Sequence, residues 1–171
     1  MFKNIDLGRV ASGWLKFLTG KALGPWVPLQ PNAASALLKF GKLRPGETAF
    51  DLGCGDGRVV IAAAREFGAR GVGIEMDASL LAECRAGARA AGVEDKVQFI
   101  AGDALRADIS AADLVTMYLS VPGNSALYPL LRQQLQAKPL TRVVTFQFPI
   151  EEMEPVTIAS FSGVPMHLYT G

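Results

Sequence analysis

The fold is decided by the stretch Phe50-Asp51-Leu52-Gly53-Cys54-Gly55-Asp56-Gly57-Arg58. It predicts the end of a buried strand, a glycine-rich turn and the start of a helix. Glycines at alternate positions let the backbone approach a ligand closely, and the helix start directs unpaired N–H groups at that ligand. Asp51, two residues before the first glycine, repels a phosphate but accepts hydrogen bonds from an ammonium group. S-adenosylmethionine (SAM), a nucleoside with an amino-acid end, fits this combination.

Two other glycine-loop patterns fit the turn less well. A dinucleotide-binding turn has the spacing G-x-G-x-x-G and holds a pyrophosphate at the helix start, whereas this chain has G-x-G-x-G preceded by an acid. A P-loop needs Gly-Lys-Ser/Thr after four intervening residues, which this turn does not have. A glycine-rich turn that binds no ligand is the remaining alternative, and the residues downstream make it less favourable.

The composition predicts one globular domain in a reducing compartment. The chain has 171 residues, of which 50% are hydrophobic and only 19% charged, so it can form a sizeable core and is not disordered. A formal net charge of +1 gives no field that favours DNA or RNA, and we expect no nucleic-acid partner. Cys54 and Cys84 form neither a metal-ligand pattern nor a disulfide framework, and His167 is the only histidine, so we expect no metal site and a cytoplasmic location.

The N-terminal residues contain no membrane-spanning run and no signal-peptide core, because charged residues interrupt the apolar positions. Apolar residues at helical spacing predict a helix over residues 7–18, with Asp6 as its N-cap. We expect its apolar stripe to pack on the sheet or to cover the ligand pocket. The pattern of Trp14, Lys16 and Phe17 favours an alternative, a peripheral membrane contact through residues 7–18.

Downstream of a proline-rich, irregular stretch at residues 24–31, predicted strands and helices alternate. We predict helices over residues 32–40 (with Asn32 as cap), 57–67, 78–91 and 124–135, and strands over residues 48–52, 71–75, 97–101, 113–119 and 142–148. Residues 156–161 and 165–169 form a predicted hairpin. This pattern predicts an α/β fold, a Rossmann-like doubly wound, mostly parallel sheet with an antiparallel C-terminal hairpin. Residues 1–46 form a helical and proline-rich cap segment, and residues 47–171 form the SAM-binding part of one compact domain.

The first three predicted strands are each followed or ended by an acid at the edge where ligands bind in such sheets. We expect Asp51 to accept from the ammonium group, Glu75 to accept from both ribose hydroxyls, and Asp103 to accept from the adenine amine. Cys54 is a small filler inside the turn and not a nucleophile. The full set of predicted cofactor-binding residues is Pro28, Asp51, Gly53, Cys54, Gly55, Gly57, Glu75, Met76, Asp103 and Ala104.

Three motifs of this chain resemble the SAM-binding motifs of the class I, seven-stranded methyltransferases: Asp-Leu-Gly-Cys-Gly-Asp-Gly-Arg at 51–58, Gly-Ile-Glu-Met-Asp at 73–77 and Ala-Gly-Asp-Ala at 101–104. Pro-Trp-Val-Pro at 25–28, the helix start at 55–64 and the strand at 113–119 resemble a narrower group. That group is the small protein-lysine methyltransferases, which include archaeal enzymes and the FAM173-type ATP synthase c-subunit lysine methyltransferases. The resemblance implies SAM as cofactor and a lysine side chain in a protein as acceptor.

The end of the fourth strand predicts the class of acceptor. It lacks the Asn/Asp-Pro-Pro-Tyr/Phe sequence that holds a planar nitrogen in amide and adenine methyltransferases, and has Tyr118 instead. A tyrosine hydroxyl orients a lysine amine and its ring tolerates a cation, so we expect Tyr118 to be the catalytic residue. The alternative is that Tyr118 is a core aromatic residue. Two other functions remain open: methyl transfer to a small molecule or other acceptor, and SAM binding without catalysis.

Overall fold

The computed structural model describes residues 7–20, 22–25, 27–30 and 32–171. The predicted N-cap of the first helix, Asp6, lies outside these residues. The helices and strands occur in the order α1 (Leu7–Leu18), α2 (Ala33–Phe40), β1 (Thr48–Leu52), α3 (Arg58–Phe67), β2 (Arg70–Glu75), α4 (Ala78–Ala90), β3 (Val97–Ala101), a 3₁₀ turn (Ala104–Arg106), β4 (Leu114–Met117), α5 (Val121–Ala137), β5 (Arg142–Phe146), β6 (Thr157–Phe161) and β7 (Val164–Thr170). Among the described residues, no helix has the length and apolar character needed to cross a bilayer.

The strands form one seven-stranded sheet in the order β3-β2-β1-β4-β5-β7-β6. All neighbouring strands from β3 to β5 pair in parallel, while β7 pairs antiparallel with both β5 and β6. The direction of strand order reverses at β1, because β2 lies on one side of it and β4 on the other. This topology confirms the predicted Rossmann-like sheet with an antiparallel C-terminal hairpin, and it predicts a ligand site beside the end of β1.

Both faces of the sheet are covered, and neighbouring strand residues point to opposite faces. Leu114 and Val144 pack in one buried cluster with α2 and α3, whereas Val115 and Val143 pack in a second cluster with α5. Because α2 contributes its buried Leu37 and Leu38 to the first cluster, it belongs to the same core as the sheet. Helix α1 and residues 22–25 and 27–30 lie at the end of the sheet, where they border the cavity described below.

Several predicted boundaries differ from the structure. Asn32 does not cap α2: its φ is 64° and its side chain makes no capping hydrogen bond, so that prediction is wrong. Helix α5 begins three residues earlier than predicted, because Ser120 caps it by accepting from Gly123 N at 3.1 Å, and Pro122 in its first turn needs no N–H donor.

Strands β4 and β5 both end two residues earlier than predicted. Strand β4 ends at Met117, and β5 ends at Phe146 because Gln147 has a left-handed φ of 70° that strand geometry does not allow. Tyr118 and Gln147 therefore both leave the sheet at its carboxyl edge instead of continuing the strands.

Candidate functional site

A cavity of about 360 Å³ opens at the carboxyl edge of the sheet. It is bounded by the ends of β1, β2 and β4, by α1, and by the proline-rich segment, which here denotes residues 22–25 and 27–30. Its volume lies within the range of sites that hold small organic ligands. The predicted site residues that line it are Pro28, Asp51, Gly53, Cys54, Gly55, Glu75, Met76, Ala104 and Tyr118.

The glycine-rich turn between β1 and α3 is left-handed at each glycine, with φ of 77° at Gly53, 57° at Gly55 and 78° at Gly57. A Cβ atom at Gly57 would lie 2.8 Å from Phe99 Cε1 and 3.0 Å from Cys84 Sγ. Gly57 therefore packs against β3 and α4 and lies outside the cavity lining, unlike Gly53 and Gly55. Its contact with the cofactor stays a prediction, and packing alone already requires glycine there.

Asp51 is a buried acid whose charge is costly in the absence of a cation. Its Oδ1 accepts from Thr116 Oγ1 at 2.7 Å, and among the described residues no hydrogen bond ends on Oδ2. Burial raises the pKa of Asp51 to about 7, against the opposing effect of the Thr116 hydroxyl and with the help of the like charges of Asp56 and Glu75. The ionised form of such a buried carboxylate is stabilised most when a positively charged group reaches it through the cavity.

Glu75 is already bonded to the backbone around it. Its Oε2 accepts from Gly55 N at 2.9 Å, and its Oε1 accepts from Met76 N at 2.9 Å and Asp77 N at 3.0 Å. A carboxylate has about four lone-pair positions, so one remains, on Oε2. Glu75 thus fixes the glycine-rich turn to the end of β2 and retains room for one ribose hydroxyl. Hydrogen bonds from both ribose hydroxyls to Glu75 stay a prediction, and they require one of these three backbone hydrogen bonds to break.

Asp103 is the predicted acid that the structure places outside the cavity lining. It follows β3 and caps the short 3₁₀ turn, since its Oδ1 accepts from Leu105 N at 3.0 Å. Its neighbours Gly102 and Ala104 do line the cavity. The interaction of Asp103 with an adenine amine therefore stays a prediction that rests on its free oxygen, Oδ2.

Tyr118 lines the cavity, and a hydrogen bond fixes its hydroxyl. The hydroxyl donates to Gln147 Oε1 at 3.0 Å, and its ring meets the Phe146 ring edge-on with centroids 5.1 Å apart. Burial raises the pKa of the Tyr118 hydroxyl, so the group stays protonated. Gln147 is itself fixed, because its N–H donates to Pro165 O at 2.8 Å. The hydroxyl oxygen can still accept a hydrogen bond from another donor.

The proline-rich segment is tied to the glycine-rich turn by Arg58. The Arg58 guanidinium donates to the carbonyl of Leu29 and, from Nε, to Asp56 Oδ1 at 2.9 Å. Its ion pair with the Asp56 carboxylate raises the pKa of Arg58 further. Arg58 thus orients the turn and the segment that covers it, and its charge is paired with that of Asp56.

A second tie joins the same segment to the start of α5. Ser120 Oγ donates to Leu23 O at 2.5 Å. A Cβ atom at Gly123 would lie only 2.1 Å from that carbonyl oxygen, so the approach requires glycine. The contact fixes one border of the cavity against the residue that also caps α5.

Helix α1 presents polar residues to the cavity. Ser12, Gly13 and Lys16 line it, and Lys16 Nζ lies 2.7 Å from Asp77 Oδ2 at the N-cap of α4. This hydrogen bond from Lys16 holds the pKa of Asp77 well below its usual range. The prediction that the apolar stripe of α1 packs inward is wrong for Trp14 and for its neighbours Leu15 and Leu18, all of which are exposed.

The two cysteines and the histidine have structural environments. Cys54 and Cys84 are buried free thiols that pack together, and Cys84 Sγ donates to Gly55 O at 3.1 Å. The hydrogen bond with Cys84 and burial raise the pKa of the Cys54 thiol far above its usual value, which disfavours a nucleophilic thiolate. His167 is buried with Nδ1 3.2 Å from Thr145 Oγ1, away from the cavity.

Four residues at the site were not predicted from the sequence: Lys16, Thr116, Ser120 and Gln147. Ser120 had a sequence signal, because a serine followed closely by proline is a helix N-terminus signature. Thr116 and Gln147 had none, since their contacts with Asp51 and Tyr118 depend on which strands are neighbours.

Comparison with known proteins agrees with this geometry. The family model described as the ANTKMT methyltransferase domain matches residues 51–157. A protein-lysine N-methyltransferase of Saccharolobus islandicus is 36% identical over 132 residues, 77% of this chain and 81% of that protein. The ATP synthase c-subunit lysine N-methyltransferase of Xenopus laevis is 32% identical over 153 residues, 88% of this chain and 65% of that protein.

The structural comparison points to the same class. A crystal structure described as an RNA methyltransferase from Salinibacter ruber in complex with S-adenosyl-L-homocysteine has a TM-score of 0.80 and 40% identity, covering 84% of this chain and 93% of that chain. The sheet topology, the acids at its carboxyl edge and these matches together define a SAM-dependent methyltransferase, as predicted. The chain belongs to the ANTKMT methyltransferase domain family.

Proposed function

We propose that this chain transfers the methyl group of SAM to the Nζ atom of a lysine side chain in a protein. The proposal rests on the position of Tyr118. This residue lines the same cavity as Asp51 and Glu75, and Gln147 fixes its hydroxyl. The names of the relatives from Saccharolobus islandicus and Xenopus laevis, both lysine N-methyltransferases, support the same acceptor.

The residues at the glycine-rich turn fit SAM. The free oxygen of Asp51 suits its ammonium group, the remaining lone pair of Glu75 suits a ribose hydroxyl, and the left-handed Gly53 and Gly55 leave space for close approach. When bound, SAM supplies an electrophilic methyl carbon attached to a sulfonium. The protein then has mainly to align the acceptor nitrogen with that carbon.

Tyr118 and its surroundings would prepare the acceptor. A lysine nitrogen attacks only when neutral, so it must give up one proton, and a partly apolar cavity favours this by lowering the lysine pKa. The Tyr118 oxygen can then accept a hydrogen bond from the amine, while the Tyr118 O–H continues to donate to Gln147 Oε1. With SAM bound, a bond from the lysine nitrogen to the methyl carbon would replace the carbon–sulfur bond, and S-adenosylhomocysteine would be the leaving group. The proton that the lysine gives up beforehand would pass to solvent.

One competing acceptor has a specific observation in its favour. The Salinibacter ruber protein, 40% identical, is described as an RNA methyltransferase. The near-neutral charge of this chain, +1, gives RNA little general attraction, which is why we favour a protein acceptor. Small-molecule methylation and SAM binding without catalysis are further outcomes that an experiment must separate.

Labelling in a cell lysate of the source organism tests the proposal. The purified chain is incubated with methyl-labelled SAM and lysate, and the products are divided by protease, by RNase and by solvent extraction. We expect label in protein bands that survive RNase, on lysine by mass spectrometry. Label that RNase removes would indicate RNA as the acceptor, and label in extractable metabolites would indicate a small molecule. Either result would contradict the protein acceptor. Cofactor binding with no transferred label would indicate a binding module.

A pair of tyrosine variants tests the role of Tyr118. Tyr118→Phe should lower the turnover rate on the order of tenfold, the effect of one hydrogen bond of about 1.4 kcal/mol, with unchanged cofactor affinity. Tyr169→Phe is the matched control: its hydroxyl accepts from Ile150 N at 2.9 Å, outside the cavity, so it should cost stability but not turnover. Equal turnover in the wild type and Tyr118→Phe would remove Tyr118 from the site.

We also infer that the protein works in a reducing, cytoplasmic compartment. The support is that Cys54 and Cys84 pack against each other and remain free thiols. Fractionation of cells followed by detection of the chain in each compartment tests this inference, and recovery from an oxidising compartment would contradict it.

A further inference from the structure

Helix α1 turns its apolar side toward solvent. The exposed fractions are 45% at Trp14, 64% at Leu15 and 74% at Leu18, and Ala11 is also exposed. Trp14 and Leu15 each lie three or four residues from both Ala11 and Leu18, so all four lie on one face of the helix. The Trp14 ring also meets Phe17 edge-on, with centroids 6.0 Å apart, which extends the apolar surface along the helix.

The opposite face of α1 is the polar one, and it borders the cavity. Ser12, Gly13 and Lys16 line the cavity, and Lys16 is anchored to Asp77. A surface helix of a globular protein normally buries its apolar stripe and exposes its charges. Because α1 leaves this stripe in solvent, its outer face needs a separate explanation.

The charge of the N-terminal sequence indicates what covers this face. Lys16 pairs with Asp77, and the rest of residues 1–21 contains three Lys or Arg and a single acid, while the whole chain carries a net charge of only +1. A helix with exposed Trp and Leu in a basic sequence is typical of helices that lie in the surface of an anionic membrane. Charge and exposed apolar area therefore favour the same kind of partner.

We propose that the face formed by Ala11, Trp14, Leu15 and Leu18 docks on an anionic lipid surface. Since the other face of α1 lines the cavity, docking brings the opening of the SAM site close to the plane of the membrane. The site would then meet acceptors held at or near that plane. This inference does not depend on whether the acceptor atom belongs to a lysine.

Vesicle co-sedimentation of the full chain tests the proposal. We expect binding to vesicles with about one-third phosphatidylglycerol, weaker binding to pure phosphatidylcholine, and release by high salt. A variant with Trp14→Ser, Leu15→Ser and Leu18→Ser should lose at least about tenfold in partition coefficient. The matched control carries Leu140→Ser and Ile158→Ser, at positions that are 87% and 61% exposed outside α1, and should bind like the wild type.

Two outcomes would overturn the proposal. Equal vesicle binding by the α1 variant and the wild type would show that this face is not the contact. A wild-type dimer in light scattering that the α1 variant converts to a monomer, without vesicle binding, would assign the face to a second copy of the chain. If the triple variant unfolds, Leu18→Ser alone, at the most exposed of the three positions, gives the same comparison with a smaller expected loss.

Discussion

The affinity for S-adenosylhomocysteine, which shares the amino-acid end of SAM, should rise steeply between pH 5 and pH 7. Burial raises the pKa of Asp51 to about 7 in the ligand-free protein, and only the ionised carboxylate can pair with the ammonium group. About one molecule in a hundred is ionised at pH 5 and about half at pH 7. The binding constant should therefore increase about fifty-fold, equivalent to about 2.3 kcal/mol.

Calorimetric titration across this range measures the effect, and two variants identify the group. Asp51→Asn keeps the shape of the side chain but cannot ionise, so its affinity should be low and independent of pH. Thr116→Val removes the hydrogen bond that lowers the pKa of Asp51, so the steep range should move to higher pH. Above about pH 8 the affinity should decline again, because the ammonium group of the ligand loses its proton.

Two results would contradict the pairing of Asp51 with the ammonium group as the cause of this pH dependence. An affinity that stays constant from pH 5 to pH 7 would show that Asp51 does not pair with the ammonium group. A slope that persists in Asp51→Asn would assign the titration to another residue. Proton release is a second readout: below pH 7, binding should release close to one proton from the protein, which appears as a dependence of the heat on the buffer.

Three further predictions concern stability and the proline-rich segment. Because the pKa of Asp51 is higher in the folded than in the unfolded chain, its ionisation lowers the stability of the fold as pH rises from about 4 to 7. Asp51→Asn should therefore raise the free energy of unfolding, measured in urea at pH 8, by on the order of 2–4 kcal/mol. An equally large gain at pH 4 would contradict this prediction. Gly123→Ala places a Cβ atom 2.1 Å from Leu23 O, so the cofactor affinity measured by calorimetry should fall several-fold. An unchanged affinity would show that this contact does not influence cofactor binding. Arg58→Ala removes the hydrogen-bond donor to Leu29 O, so proteolysis within residues 22–30 should become faster unless ligand is bound. A cleavage rate equal to that of the wild type would show that other contacts hold the segment.

The sequence predicts those features of the site that depend on the order of strands and turns. Asp51 and Glu75 lie at the carboxyl ends of neighbouring parallel strands, as the second-to-last and last residue respectively, so a regular alternation of strands and helices was enough to bring them to one cavity. The partner of Asp51 could not be predicted in this way. Thr116 lies 65 residues away and meets Asp51 only because β4 pairs with β1 in a register where these two residues are opposite each other.

The glycine-rich turn shows a second limit of sequence reasoning. A motif does not distinguish a glycine required by a ligand from one required by packing. Gly53 and Gly55 line the cavity, whereas Gly57 is confined by Phe99 and Cys84 on the other side of the turn. Only the packing of β3 and α4 against the turn separates these two roles, and that packing involves residues far downstream in the chain.

Asp51 has opposite effects on stability and on binding. In the ligand-free protein its buried charge disfavours the folded state at neutral pH, and an asparagine of the same shape would keep the Thr116 contact without that penalty. An acid at this position is therefore poorly explained as a structural residue. Its cost is offset only when a cation enters the cavity, so the raised pKa and the free Oδ2 atom support the ammonium end of the cofactor as its partner.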